Sequence, residues 1–119
     1  IEGRLLGLTG DRATVDTPIG RFDGLLGDPL KRPAAGSTVT LSIRPACWKL
    51  GRQTSGQNCI SGRIGEAVYL GEVAQYDFLA SADGSSLKIL ELNPRYLGTS
   101  AGMDLYAMVE PEDVVVLVE

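Results

Sequence analysis

The chain has 119 residues and a mass of 12.6 kDa, enough for one ordinary domain or two small units that share a core, which excludes a multidomain enzyme. Eleven basic and fifteen acidic side chains give a net charge of −4, so we expect no nucleic-acid partner. Histidine is absent, which removes the commonest general base and the commonest zinc ligand, and we assign neither catalytic nor metal-binding residues.

Glycine and proline divide the chain into short stretches. Fifteen glycines and six prolines make up about 18% of the residues, against ~12% in an average domain. The longest stretch without either, residues 72–83, has twelve residues. Because both residue types interrupt helices, strands of five or six residues joined by turns are favoured. The sequence therefore predicts an all-β fold.

Two strands are predicted from the order of apolar and polar side chains. Residues 38–44 alternate between the two types with a period of two, which is typical of a half-buried strand. Val114–Val118 is apolar throughout, which predicts a strand covered on both faces.

A hairpin is predicted between these two strands. Residues 74–80 and 87–92 alternate and are separated by Asp83-Gly84, a pair that favours a tight turn because its central residues take positive φ. A short helix at 74–80 is the alternative, but the spacing and the aromatic residues of that stretch suit a pleated surface better.

The two halves of the chain repeat with an offset of 66 residues. The segments AGSTVTLSIRP, ending at Pro45, and AGMDLYAMVEP, ending at Pro111, each have Gly nine residues before Pro and apolar residues three, five and seven after that Gly. Gly3-Arg4-Leu5 is similarly matched by residues 62–64. The repeat indicates two similar units in tandem.

Each unit has room for about five short strands, as in a small, partly open Greek-key barrel of the oligonucleotide/oligosaccharide-binding (OB) type. We predict two tandem OB-like small barrels that share a core: a first lobe at residues 1–50, a polar connector at 51–59 and a second lobe at 60–119. The last strand of one unit can cross over to complete the other. The chain opens with Ile1 rather than Met, so we expect a longer protein upstream.

The chain lacks residues that common enzyme motifs require. A P-loop needs Gly-Lys, which occurs nowhere, and no serine has a histidine to activate it. The best small-ligand candidate is the uncharged stretch in and after the connector, because hydroxyls, amides and glycine N–H groups can bind an oxyanion. Its residues are Ser55, Gly56, Gln57, Asn58 and Ser61. An ordinary polar loop is the alternative.

Other distinctive residues have simpler structural interpretations. Arg44-Pro45 and Glu110-Pro111 end matching strands, where proline stops the ladder. We interpret the acidic residues Glu110, Glu112 and Asp113 around Pro111 as a solvated turn before a strand; a cation site or an acid–base pair is the alternative. Trp48, the only tryptophan, is expected to pack in the core or between the lobes rather than to stack on a sugar or base. We interpret the two cysteines as reduced thiols; their spacing leaves a disulfide open.

One stretch of the second unit resembles a known family. SGRIGEAVYLGEVAQYDFLASADGSSLKILELNP, followed by AGMDLYAMVEPEDVVVL, is similar to the transport-associated OB (TOBE) domain at the C-terminus of ATP-binding subunits of ABC importers. The resemblance covers residues 60–117, and the first unit matches the preceding OB-like lobe more loosely. The matching positions are Gly62, Tyr69, Leu70, Gly71, Asp83, Gly84, Pro111, Glu112 and Asp113. Ala46 stands where the family often has an acidic residue.

The resemblance implies a regulatory, dimer-stabilising part of an importer ATP-binding subunit, of the iron(III), polyamine or sugar type. It implies no cofactor in this segment, with ATP and Mg²⁺ bound by an ATPase domain upstream. The implied partners are that ATPase domain, a second copy of the chain and membrane permease subunits, at the cytoplasmic face of the membrane. The alternative is a module that senses an oxyanion or a sugar.

Overall fold

A computed structural model of the chain describes residues 1–54, 58–92 and 101–118. Ten strands run through this part of the chain: β1 Glu2–Thr9, β2 Arg12–Thr17, β3 Gly20–Leu26, β4 Thr38–Ile43, β5 Lys49–Gly51, β6 Cys59–Tyr69, β7 Val73–Ala80, β8 Ser86–Leu92, β9 Asp104–Met108 and β10 Val114–Val118. Two 3₁₀ turns, Pro45–Cys47 and Pro111–Asp113, are the other regular elements of the described segments. The all-β prediction is confirmed, and none of these residues belongs to a helix that could span a membrane.

The strands form two five-stranded units. The first is a closed barrel in the order β1-β2-β3-β10-β4, antiparallel except where β10 runs parallel to β3. The second is an antiparallel sheet in the order β5-β9-β6-β7-β8. Buried apolar residues from both units belong to one cluster. The prediction of two small tandem units with a shared core is confirmed.

The chain exchanges one strand in each direction between the units. After the first 3₁₀ turn, β5 leaves the barrel and pairs with β9. After the second 3₁₀ turn, β10 leaves the sheet and pairs with β4 and β3 of the barrel. Each sheet therefore contains one short strand from the other repeat.

The repeat is visible in the backbone at equivalent glycines. Gly36 has a φ of 90° and Gly102 a φ of 87°, the left-handed region that glycine adopts without steric cost. The Gly36 N–H donates to Leu5 O and the Gly102 N–H donates to Ile64 O, both at 2.7 Å. The strands that contain these acceptors, β1 and β6, have a register shift directly after them. The two units thus share the same local construction.

The outer face of β10 corrects one prediction. Val114 and Val116 are fully buried, but Val115 is 38% and Leu117 45% exposed. The expectation of a strand covered on both faces is wrong, because β10 is a barrel strand with one face toward the core and one toward solvent. Its continuous apolar sequence places two aliphatic side chains on the outside.

The β7–β8 hairpin confirms the predicted strands and changes the turn. Both segments are strands, not a helix and a strand, but the loop spans residues 81–85. Only Gly84 in this loop has a positive φ, at 75°; its N–H donates to Ala80 O at 2.8 Å. The Asp83 side chain instead accepts a hydrogen bond from the Ser85 N–H at 2.9 Å, so a five-residue loop replaces the two-residue turn.

Trp48 is a buried residue that packs against the barrel. Its ring is 4% exposed and packs edge-on against Phe22 of β3, with ring centroids 6.0 Å apart. Since Trp48 immediately precedes β5, this contact fixes the point where the chain passes from the barrel to the sheet. The prediction that Trp48 packs in the core or between the lobes is confirmed. Cys47 and Cys59 are free thiols.

Candidate functional site

The connector joins the two units through the side chain of Asn58. Its amide Oδ1 accepts from the Asp23 N–H at 2.7 Å, and its Nδ2 donates to the Asp23 carbonyl at 2.8 Å. Asp23 lies on β3 just before the residues that pair with β10. The Asn58 amide therefore serves as the hydrogen-bonding partner of the Asp23 backbone, in place of a residue of β10. Asn58 is 3% exposed and has a φ of 49°, a conformation that asparagine tolerates better than most residues.

These contacts determine what the predicted small-ligand stretch can do. Ser55, Gly56 and Gln57 lie outside the described residues. Asn58 uses its amide to hold Asp23. Ser61 lies exposed on β6, opposite Tyr106 of β9. Within the described part of this stretch, the buried amide is occupied by the protein itself and the hydroxyl is at the surface.

We call the junction at which β5 and β10 pass between the two units the seam. A groove of about 470 Å³ lies beside it, between the start of β5 and the second 3₁₀ turn. Its lining includes the charged residues Lys49, Glu110 and Asp113, all of which are exposed. The remaining lining residues are Cys47, Met108, Val109 and Pro111. Two carboxylates against one ammonium give the groove an excess of negative charge. It therefore suits a cationic or zwitterionic group better than an inorganic oxyanion.

The two predicted proline turns are matched in position and differ in charge. In the first turn the Cys47 N–H donates to Arg44 O at 2.9 Å, and in the second the Asp113 N–H donates to Glu110 O at 2.9 Å. Pro45 is exposed, whereas Pro111 is buried. The structure brings Pro111 and Asp113 to the groove, while Arg44 and Glu112 are exposed residues outside its lining.

The remaining motif residues of the second unit have structural roles in a strand contact or in a turn. A Cβ on Gly62 would lie 2.4 Å from Leu79 O and from the Phe78 ring, so only glycine permits this strand contact. Gly71, with a φ of 79°, forms the turn between β6 and β7. Asp83 and Gly84 build the next loop. Hydrogen bonds from Ser85 hold the pKa of Asp83 below its usual value.

Tyr69 packs at the end of the second sheet. Its ring lies edge-on to Tyr76, with centroids 6.3 Å apart. The Tyr76 hydroxyl donates to Glu91 Oε1 at 2.8 Å. Burial and this hydrogen bond raise the pKa of Tyr76, so the hydroxyl remains a proton donor at neutral pH. The Tyr76 ring is buried while Tyr69, which it contacts, remains largely exposed.

Sequence reasoning missed the residues that complete the seam and the groove. Asp23 contributes backbone groups, which leave no pattern in a sequence, and it lies 35 residues from Asn58. Lys49 and Met108 face each other across β5 and β9, a pairing that depends on the strand exchange. Among the described residues, no group of three or more Cys, Asp or Glu side chains has the arrangement of a metal site.

Comparisons with known proteins identify relatives of both the sequence and the fold. No protein-family model matches the chain. Over 96 residues, 80% of its length, it is 32% identical to the spermidine/putrescine import ATP-binding protein PotA of Rubrobacter xylanophilus, and it spans about a quarter (24%) of that relative's length. The crystal structure of the cytoplasmic molybdate-binding protein ModG, with molybdate bound, superposes with a TM-score of 0.84 over 99% of this chain and 94% of ModG, at 15% identity.

Proposed function

We propose that this chain is a regulatory part of the ATP-binding subunit of an ABC-type solute importer. Its fold and its sequence similarity identify it as a transport-associated OB (TOBE) domain. The observation that carries the proposal is the 32% identity to an import ATP-binding protein over 80% of the chain. The chain itself is a non-catalytic module in this proposal: the groove at its seam has carboxylates, one ammonium and thiol or thioether sulfur, and no histidine exists to serve as a base.

In this proposal, ATP and Mg²⁺ are bound by an ATPase domain in a part of the longer protein that precedes residue 1. The longer protein lies at the cytoplasmic face of the membrane and is bound to permease subunits. The test is to sequence the coding region upstream of Ile1 and to assay ATP hydrolysis. We expect a GxxxxGK[ST] motif upstream, ATP hydrolysis by the full-length protein and none by residues 1–119. An upstream region without this motif would refute the proposal.

Self-association is part of the same proposal. Leu25 of β3 and Val115 of β10 are direct neighbours on the barrel's outer face, and Leu117 continues this apolar surface; all three are at least 38% exposed. Arg12, which pairs with Leu25 across β2 and β3, lies 3.7 Å from the Asp23 carboxylate, so the patch and its border carry no net charge. Such a patch does not repel its own copy, and a second copy is the partner that we assign to it. Three side chains supply far less than the ~800 Å² per partner of a standard interface, so the dimer should dissociate on dilution.

Sedimentation equilibrium at several concentrations measures this dimer. We expect Leu117→Lys to make the chain monomeric. Leu30→Lys is the matched control, because Leu30 is 92% exposed on a loop and its replacement adds the same charge elsewhere. Equal dimerisation of both variants, or a monomeric wild type, would refute this contact.

An oxyanion sensor is the second candidate, favoured by the fold shared with a protein whose structure contains molybdate. The excess negative charge of the groove and the engagement of Asn58 with Asp23 weigh against it. Titration calorimetry with molybdate, sulfate and phosphate decides between the two candidates. Saturable heat with any of these anions would support the sensor, and no heat with all three would exclude it.

A further inference from the structure

The outer face of the second sheet carries an acidic row between aliphatic side chains. Register places Glu66 of β6, Asp77 of β7 and Lys88 of β8 side by side. Val68 and Leu90 lie two residues along their strands on one side of this row, and Leu79 lies on the other. Val68 is 39% and Leu79 37% exposed. We name these six residues the acidic–aliphatic face.

Each part of this face departs from an ordinary solvent-facing sheet surface. The exposed face of an antiparallel sheet is normally polar, whereas Val68, Leu79 and Leu90 are aliphatic residues on this face. Glu66 and Asp77 are directly paired across β6 and β7, and like charges at such positions are destabilising. The surface therefore retains two unfavourable features, exposed aliphatic area and paired carboxylates, that a bound partner could relieve.

Lys88 relieves only part of the repulsion. Its ammonium donates a hydrogen bond to Asp77 Oδ1. The carboxylates of Asp77 and Glu66 both contribute to the raised pKa of Lys88, so one ammonium serves two carboxylates. The three groups keep a net charge of −1 around a shallow depression of about 160 Å³, whose lining also includes Val68 and Gln75.

We propose that the acidic–aliphatic face is a docking surface for a partner polypeptide that presents an arginine between aliphatic side chains. A guanidinium can donate to two carboxylates at once in a planar arrangement, which a small ammonium cannot do. The aliphatic neighbours of that arginine would cover Val68 and Leu90 on one side of the row and Leu79 on the other. A second copy of this chain would bring a net negative face against a net negative face, so charge complementarity selects a basic partner.

The flanking structure leaves this face open and rigid. Arg63 lies opposite Leu79 across β6 and β7 and pairs with Asp104 of β9 at 3.0 Å, so this ion pair adds no net charge beside the face. The Leu79 side chain lies over Gly65, where a Cβ would be 3.3 Å from Leu79 Cδ1. The core side of the same strands is filled by Ile64, Phe78 and Ile89, all 1% exposed or less. A partner would therefore meet a preformed surface, which reduces the ordering cost of binding.

Titration of the whole chain with synthetic peptides, followed by ¹⁵N–¹H NMR, tests the proposal. The probe is a seven-residue peptide, acetyl-Ser-Leu-Val-Arg-Val-Leu-Ser-amide, and the same peptide with Glu in place of Arg is its control. We expect saturable shifts at β6, β7 and β8 with the Arg peptide and none with the Glu peptide. We also expect Glu66→Lys to weaken binding at least tenfold.

The matched variant is Glu112→Lys, which changes the net charge equally at an exposed position on the second 3₁₀ turn; we expect less than a twofold effect. Wild-type-like spectra of both variants establish that they fold. No saturable shift, shifts confined to the barrel, or equal weakening by both variants would overturn the proposal. So would saturation by free arginine amide at the same concentrations, because a bare cation would then account for the binding.

Discussion

Replacing Asn58 tests whether one side chain holds the two units together. Its amide makes two hydrogen bonds to the Asp23 backbone, at 2.7 and 2.8 Å, in a position that is 3% exposed. A net hydrogen bond contributes roughly 0.5–1.5 kcal/mol, so losing both lowers the free energy of unfolding by about 1–3 kcal/mol. Alanine adds about 1 kcal/mol more, because the φ of 49° is unfavourable for it.

Two variants separate these effects. Asn58→Gly removes the hydrogen bonds but keeps the left-handed backbone accessible, so we expect a loss of about 1–3 kcal/mol. Asn58→Ala should lose about 2–4 kcal/mol, the sum of both effects. Asn58→Asp should also be destabilised, because its carboxylate can accept from the Asp23 N–H but cannot donate to the Asp23 carbonyl.

Urea unfolding monitored by Trp48 fluorescence measures these losses in the free energy of unfolding, since Trp48 packs against Phe22, the residue before Asp23. With a slope of about 2 kcal/mol per molar urea, a loss of 2 kcal/mol moves the midpoint by ~1 M. An Asn58→Ala midpoint within about 0.25 M of the wild type, that is ~0.5 kcal/mol, would refute the role of this side chain. If glycine and alanine were equally destabilising, the backbone contribution would be wrong.

Four further variants, one of them a control, test the packing and the loop. Trp48→Ala should lower the free energy of unfolding by about 3–5 kcal/mol in urea titrations; a loss below ~1 kcal/mol would contradict its place in the core. Gly62→Ala should lose about 1–3 kcal/mol through contact with the Phe78 ring, while Gly7→Ala, with nothing within 4 Å, should change stability by less than ~0.5 kcal/mol. Because the folded pKa of Asp83 is lowered, its stabilising effect is present above its unfolded pKa and is lost as the pH falls through the folded value. The wild type should therefore have a higher melting temperature than Asp83→Asn at pH 7 and lose that advantage in acid. A difference in melting temperature that does not change with pH would contradict the Ser85 contact.

Local patterns predicted the strands because the relevant signal lies within each strand. Alternation over residues 38–44 and 74–80 matches β4 and β7, and the buried side chains fall at every second position, as in Val39 and Leu41. The repeat likewise depends only on comparing two segments, and the hydrogen bonds of Gly36 and Gly102 agree with it.

Partners distant in sequence could not be predicted in the same way. The apolar composition of β10 is equally compatible with a covered strand and with one that exposes Val115. The groove exists because strand exchange brings Lys49 beside Met108. The repulsive pair on the second sheet follows from register, since the shift at Gly65 decides that Glu66 faces Asp77.

The parallel pairing of β10 with β3 has a consequence for the order of synthesis and folding. The barrel's first four strands end at Ile43, but the fifth is supplied by Val114–Val118, more than 70 residues later. A ribosome adding about 5–20 residues per second needs several seconds to make that interval. During this time β3 and β4 each present an unpaired edge, which favours pairing with other chains. We therefore expect a nascent chain that stops before residue 114 to require chaperone protection, although most of its barrel has already been synthesised.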